Sequence, residues 1–396
     1  MDTRKTAQSS EPVTRRRLLQ TVGVGGAALA LGVGPGLARE ASHEDGRPRP
    51  ETGRRLTERF GLEHPFVGAG MGFVALPALV AAVSEAGGLG VLGVAPEPPP
   101  VFAERITQIR ALTRRPFGVD FFLATSPTLG PITVDAHIQI AVASRVDLVV
   151  FHFGIPAAAW VTSLKSAGIP VWMQVPSLEQ ARAALAAGAD GLVIQGKEAG
   201  GHNHSTAPLH DLLREVREEL GDDVLMLAAG GIATGADVVT ALAHGADGVW
   251  VGTRLVASTE AYAHPEWKRR LTQSRRQDTV ITTLFGPEVP CQPYHVLRNA
   301  AVDAAIGQQD QICALPPTGT IGTTVLFPGT SFQTPGVPMP TFSALPPTPD
   351  TTGNFDAMGM PAGDGVQHIR DVKPVAAIVA DMMREARTIL ARMAQG

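Results

Sequence analysis

The sequence predicts an α/β protein built on a closed (β/α)8 TIM barrel, followed by a Pro/Gly-rich lid segment and a final helix. Three observations carry this prediction. Short apolar runs alternate with helical patterns eight times from Pro65 to Val251 and beyond, which is the count of a barrel. The runs are apolar at nearly every position, as strands buried on both faces must be. Gly-rich turns follow several of them, at the strand ends where α/β folds bind ligands. An open doubly wound sheet is the other architecture that this alternation permits.

A chain of 396 residues can hold one large barrel with additions or two domains. Its 43 Gly and 32 Pro beside 44% hydrophobic residues suit a globular fold with many turns. The formal charge is −4, and the first 38 residues contribute five Lys/Arg against two Asp/Glu, so the remainder carries −7. With no basic stripe later in the chain, that balance argues against nucleic acid as a partner.

Residues 1–38 read as an export signal. Thr14-Arg15-Arg16-Arg17-Leu18-Leu19-Gln20 resembles a twin-arginine motif, and Gly36-Leu37-Ala38 offers a small-residue cleavage site. Between them, six glycines and a proline from Gly23 to Gly36 leave the stretch weakly apolar, which disfavours the competing reading of a stable membrane span. The signal implies the twin-arginine export machinery as a partner, a mature chain beginning near Arg39, and a periplasmic or extracellular location. Residues 39–53, charged and Pro-rich, read as a flexible linker.

The barrel is expected over residues 54–260. Its strands are read at Pro65–Gly70, Leu89–Leu92, Phe117–Phe122, Leu148–Phe151, Pro170–Gln174, Asp190–Ile194, Val224–Ala228 and Gly248–Val251. Helical patterns separate them at Leu76–Ala86, Val101–Leu112, Ile132–Ser144, Pro156–Ala167, Leu178–Ala187, Ala207–Leu220 and Ala233–Ala243; Gly87-Gly88 supplies the stop signal of the first. The beat fails after Tyr262. Glu266–Arg276 looks helical, and then Phe285–Gly365 shows no sustained period. Residues 261–370 are therefore expected to form a lid or insert over the barrel mouth, stiffened by its prolines. Residues 371–396 contain an amphipathic pattern from Val372 to Met393, expected to pack on the barrel. The two cysteines, Cys291 and Cys313, both fall in the lid, where a bridge and two free thiols are equally open readings. Neither follows a barrel strand, and His202 and His204 lack the spacing of a metal pair, so no metal site is expected.

The chemistry concentrates in four stretches. Gln195-Gly-Lys-Glu-Ala-Gly200-Gly201-His202-Asn-His204 follows the sixth strand; its paired glycines admit a ligand close to the backbone. Ala229-Gly230-Gly231-Ile232 and Gly252-Thr253 follow strands seven and eight, the usual phosphate site of barrels. Backbone N–H groups of Gly231, Gly252 and Thr253 would face the anion, each charge-assisted bond contributing roughly 1.5–3 kcal/mol. Phe151-His152-Phe153 places one histidine at the end of strand four between two aromatics, whose desolvation would keep it neutral and usable as a base. A hydrogen-bonded core histidine is the competing reading.

These pieces together resemble the nitronate monooxygenase family of FMN-dependent barrels. The matching stretches are Gly70-Met71-Gly72, Ala86-Gly-Gly-Leu-Gly90, Phe151-His-Phe-Gly-Ile-Pro156, Gln195 to His202, Ala229 to Ile232 and Gly252-Thr253, in family order from about residue 60 to 258. Arg298-Asn299 and Ala362-Gly363 extend the match weakly into the lid. The resemblance implies His152 as catalytic base and His202 on the substrate side. It implies flavin contacts at Met71, Gln174, Gln195, Gly200, Gly201, Gly231, Trp250, Val251, Gly252 and Thr253. Two positions depart from the family pattern. Gly70 stands where a Pro usually precedes the Met, and Asp120 stands where an Asn is expected near the flavin ring. A carboxylate at Asp120 would disfavour an anionic reduced flavin.

The implied reaction takes a nitroalkane or nitronate and O2 to a carbonyl compound and nitrite. The alternatives are an NAD(P)H-dependent quinone or enoyl reductase on the same barrel, and an exported barrel that binds a ligand without turnover.

Overall fold

The computed structural model describes residues 53–94 and 96–395. The expected signal over 1–38, with Arg15, Arg16 and Ala38, lies outside the described residues, as does the expected linker apart from Gly53. The chain forms a (β/α)8 barrel. Its strands are β1 (Phe66–Gly68), β2 (Gly90–Val94), β3 (Phe117–Phe122), β4 (Leu148–His152), β5 (Val171–Val175), β6 (Gly191–Gln195), β7 (Met226–Ala229) and β8 (Gly248–Val251). They pair in parallel in sequence order around the sheet, with β8 returning to β1. The ring closes between β1 and β2 through the Val67–Leu89 bridge, where the N–H of Leu89 donates to the carbonyl of Phe66 at 2.9 Å.

Alternation along the strands sorts their side chains into two cores. Outward residues such as Phe121, Phe151, Met173, Ile194 and Val251 pack beneath the helices. Inward residues, among them Val91, Val150, Trp172, Val193 and Leu227, fill the barrel itself. The helix Arg54–Phe60 plugs the N-terminal end: Leu56 joins the inner core and the Phe60 ring meets Trp172 edge-on at 5.5 Å.

The eighth helix comes from the far end of the chain. After β8 only one turn forms, Thr253–Val256. The place of the missing helix is taken by Val375–Gln395, which packs against both Gly235–Ala243 and Pro77–Glu85, the helices of the seventh and first units. The contact is close: the N–H of Gly235 donates to Glu385 Oε2 at 2.8 Å.

The stretch between is more regular than its composition suggests. Thr279–Thr282 and Tyr294–Leu297 pair antiparallel, and Tyr294–Leu297 pairs in turn with Gly201–His202 from the loop after β6. A second sheet joins Thr320–Leu326, Thr334–Pro340 and Thr352–Gly353. Its three-proline strand lies at an edge, where a missing N–H costs no ladder bond. Cys291 and Cys313 form a disulfide across 22 residues of this stretch. No helix among the described residues is long and apolar enough to cross a membrane.

Candidate active site

The same alternation that fills the barrel builds the site. One step beyond the apolar inner layer, the inward positions at the carboxyl ends of the strands are Ala69, Gly93, Asp120, His152, Gln174, Gln195, Ala229 and Trp250. All of them line one cavity of about 250 Å³ at the barrel mouth. Met71, Gly200, Gly201, His202, Gly231, Gly252 and Thr253 line it as well. Val251 does not: it is one residue out of phase with Trp250 and points into the outer core. Its side chain thereby faces away from the cavity, and only its backbone is left for the contact that the resemblance implies.

His152 is held by its neighbour on β3. The register pairs Phe122 with His152, and two residues earlier on the same inward face stands Asp120. His152 Nδ1 and Asp120 Oδ1 lie 2.8 Å apart, and Asp120 is buried. A carboxylate can only accept, so Nδ1 carries a hydrogen and Nε2 is the ring nitrogen turned to other partners. The aromatic partner of the imidazole is Phe122, stacked at 4.9 Å and 16°. Phe151, expected to flank it, faces outward and packs on Trp160 instead. The two departures from the family pattern touch one another: a Cβ on Gly70 would lie 2.3 Å from the Cβ of Asp120. With Gly at 70 the Asp120 side chain has room beside the imidazole.

The stack continues away from His152. Phe122 faces His202 at 5.8 Å, and His202 faces Tyr294 at 4.4 Å. Burial among these rings, with His152 and His204 adding smaller effects, pushes the His202 imidazole down to about 3. It is therefore neutral at any ordinary pH, and its buried Nδ1 has no hydrogen-bond partner among the described residues. Burial also pushes the Tyr294 phenol up, and its hydroxyl donates to the carbonyl of Ala344 at 3.2 Å. Phe153 closes the edge of the stack against Phe122 at 4.6 Å, with a backbone φ of 75°. Such a φ in a bulky residue is rare and strained, a feature that clusters at functional sites.

The loop after β6 is pinned on every side. Asn203 Nδ2 donates to the carbonyls of Gly196 and Ala199, each at 3.0 Å, and Asn203 Oδ1 accepts from the N–H of Ser205 at 2.8 Å. His295 Nδ1 donates to the carbonyl of Ala199 at 2.9 Å. The segment 361–365 crosses over it: Asp364 N–H donates to the carbonyl of Glu198 at 2.9 Å, and Gly363 N–H to Thr253 Oγ1 at 3.1 Å. At the opposite rim, Gly231 adopts φ 72°, a left-handed conformation that a side chain would strain. Among the described residues no hydrogen bond takes up the N–H of Gly231 or of Thr253, which is the chemistry an anionic group would satisfy.

Several lining residues carried no sequence signal. Leu129 and Ile132 enter from a small hairpin, Thr125–Ser126 with Gly130–Pro131, that delays the next helix to Asp135. Glu288, Val289, Tyr294, Leu345 and Pro346 come from the segment after the barrel. Only tertiary contact brings them to the mouth; Tyr294 alone had a hint, standing beside His295 in a short β-prone run.

Comparison with known proteins gives the family and the fold. The model of the family described as nitronate monooxygenase matches residues 54–385. A Mycobacterium tuberculosis protein named (3aS,4S,5R,7aS)-5-hydroxy-7a-methyl-1-oxo-octahydro-1H-indene-4-carboxyl-CoA dehydrogenase is 34% identical over 249 residues, 63% of this chain and 67% of its own. A probable nitronate monooxygenase of Staphylococcus aureus is 29% identical over 268 residues, 59% of this chain and 76% of its own. The solved structure of a nitroalkane oxidase from Streptomyces ansochromogenes superposes with a TM-score of 0.67 at 28% identity, covering 85% of this chain and 99% of that one.

Proposed function

The chain belongs to the nitronate monooxygenase family of oxidoreductases, and from that premise we propose that it is an FMN-dependent enzyme oxidising nitroalkanes or their nitronates with O2 to a carbonyl compound and nitrite. The observation that carries the proposal is the Asp120–His152 pair opening on the same cavity as the two unpaired N–H groups of Gly231 and Thr253. The residues present fit a flavin phosphate at one end. At the other, the amides of Gln174 and Gln195 beside Met71 and Trp250 suit a flat heteroaromatic ring with polar edges. Bound flavin would accept the substrate's electrons and deliver them to O2, chemistry that no side chain here supplies.

The protein's own part is proton management and positioning. Nε2 of His152 takes the acidic α-proton of a nitroalkane while Asp120 fixes the ring and stabilises the charge it gains. With nitronate, already deprotonated, the same imidazolium would pair with the anion. His202, neutral and stacked, shapes the wall without contributing charge.

The purified protein should be yellow, and heating should release a flavin carrying one phosphate; colourless protein that ignores added FMN would remove the proposal's foundation. Adding 1-nitropropane anaerobically should bleach the visible band. The second reading is an NAD(P)H-dependent quinone or enoyl reductase on the same barrel; the 34% identity to a protein named as a dehydrogenase supports redox chemistry other than the nitronate reaction. Bleaching by NADH or NADPH with no nitro compound present would select it.

Export through the twin-arginine machinery to the periplasm or beyond belongs to the same proposal and rests on Arg15-Arg16 and Ala38. Replacing both arginines by lysine should leave the precursor in the cytoplasm at full length. Continued export of that variant, or an uncleaved N-terminus in the membrane fraction, would contradict it.

A further inference from the structure

The disulfide sits at the seam of the cavity's outer wall. Cys291 stands between two pieces of chain that line the cavity, Glu288 and Val289 before it and Tyr294 after it. The residues that follow it hold the loop after β6. His204 Nε2 donates to Gln292 Oε1 at 2.9 Å, and the N–H of Asn203 donates to the carbonyl of Pro293 at 3.1 Å. Tyr294 then pairs with His202 in the small sheet and stacks on its ring.

The other half of the bond belongs to a lightly held arm. Cys313 follows the short helix Gln309–Ile312. Ile312 packs against the apolar cluster that contains Phe285, Tyr294, Val296 and Val302. Thr283 Oγ1 donates to Asp310 Oδ1 at 2.7 Å. On either side of the helix, Ile306 and Leu315 remain 57% and 64% exposed. The cross-link therefore clamps a sparsely buried arm onto the cluster that includes the Tyr294 ring. Segments with so little buried surface open locally at low cost.

Its surroundings suit a bond that is made and broken. Cys291 is an exposed residue, and exposed disulfides are the ones that exchange with thiols. It also holds a left-handed φ of 58°, a conformation that a residue with a Cβ adopts at a cost. The cross-link lies wholly outside the barrel, whose strands and two cores are complete without it.

We propose that the Cys291–Cys313 disulfide is a redox latch on the outer wall, closed when oxidised and loosened when a dithiol reduces it. One thiolate of the dithiol attacks a sulfur of the bond, and the second resolves the mixed disulfide. Two electrons and two protons pass to the protein, leaving two thiols, while the dithiol becomes a disulfide. The freed arm no longer braces Tyr294 against His202, so the seam between residues 291–297 and 201–204 opens while the barrel stays folded. The latch works in the same way whichever molecule the cavity takes.

Hydrogen exchange read by mass spectrometry, on the purified protein with and without dithiothreitol, tests it. Alkylation reports the state of both cysteines. Peptides covering 201–204 and 291–297 should exchange about ten- to a hundredfold faster after reduction, the scale expected when a cross-link closing a 22-residue loop is lost. Peptides from β2 to β5 should be unchanged, and reoxidation should restore the slow exchange. The double variant Cys291→Ser, Cys313→Ser should match the reduced protein and ignore dithiothreitol; the natural chain decides the matter even if that variant misfolds. Unchanged exchange at the seam of fully alkylated protein would overturn the proposal. So would faster exchange throughout the barrel, which would make the bond a support of the whole fold, or cysteines that excess dithiothreitol leaves oxidised in the folded protein.

Discussion

His152→Ala is expected to lower the rate of nitroalkane oxidation by about 10²–10⁴-fold, the typical loss when general-base catalysis is removed, while the bound flavin remains near its wild-type level. The separation of the two effects follows from the barrel. His152 ends β4, whereas the unpaired N–H groups of Gly231 and Thr253 follow β7 and β8 across the mouth. The truncation also leaves Asp120 buried without the donor it now has, so some destabilisation accompanies it. Preformed nitronate needs no C–H cleavage, and its oxidation should fall much less than that of the neutral compound. Rates with both substrates and flavin occupancy, measured side by side, check the assignment. Equal losses with both substrates would make His152 a positioning or electrostatic group. Unchanged rates would exclude it from the reaction.

Gly200→Ala should loosen the site and the fold together. A Cβ at Gly200 would stand 2.5 Å from the nitrogen of Gly363 and 2.7 Å from the carbonyl carbon of Ala362. Both are backbone atoms, so no rotamer change relieves the clash. The crossing segment must move, and with it the bonds from Ala362 to the His295 carbonyl, from Gly363 to Thr253, and from Asp364 to the Glu198 carbonyl. Overpacking of this kind costs about 1–3 kcal/mol. Pro361 and Gly365 line the cavity, so flavin retention through gel filtration should fall together with the thermal midpoint. A variant with wild-type midpoint and full flavin would show that the crossing segment yields without cost.

Much of this molecule was legible before its structure. The eight strands appear close to where their apolar runs stand, because residues buried on two faces leave a continuous signal. The polar residues among them, Asp120, His152, Gln174 and Gln195, were legible for the converse reason. Each interrupts an apolar strand at its carboxyl end, and strand period then puts all four inside. The same period decides against Phe151 as a flank of His152, a place that sequence proximity had given it. Sequence order hid the eighth helix: a span of more than a hundred residues separates β8 from Val375–Gln395, and nothing local marks the two as one unit. The outer wall was hidden for a related reason. Leu129, Glu288 and Val289 act only through contacts made by distant segments, and their own neighbourhoods carry no period that would single them out. The Asp120–His152 bond needed the β3–β4 register, which depends on the whole connection over residues 123–147 rather than on either strand.

The pairing of Gly201–His202 with Tyr294–Leu297 bears on how such an enzyme could be re-engineered or diversified. The post-barrel segment is not a detachable cap, because its central strand is sewn to the very loop that carries His202. Tyr294 stacks on that histidine while His295 bonds the carbonyl of Ala199, so each partner's shape is templated by the other. A transplant of residues 261–370 from a relative would arrive without its matching loop and meet a surface built for different side chains. Grafts that carry residues 195–205 along with the segment preserve the seam. Substrate range on this scaffold is thus inherited through two stretches of sequence that must change in concert.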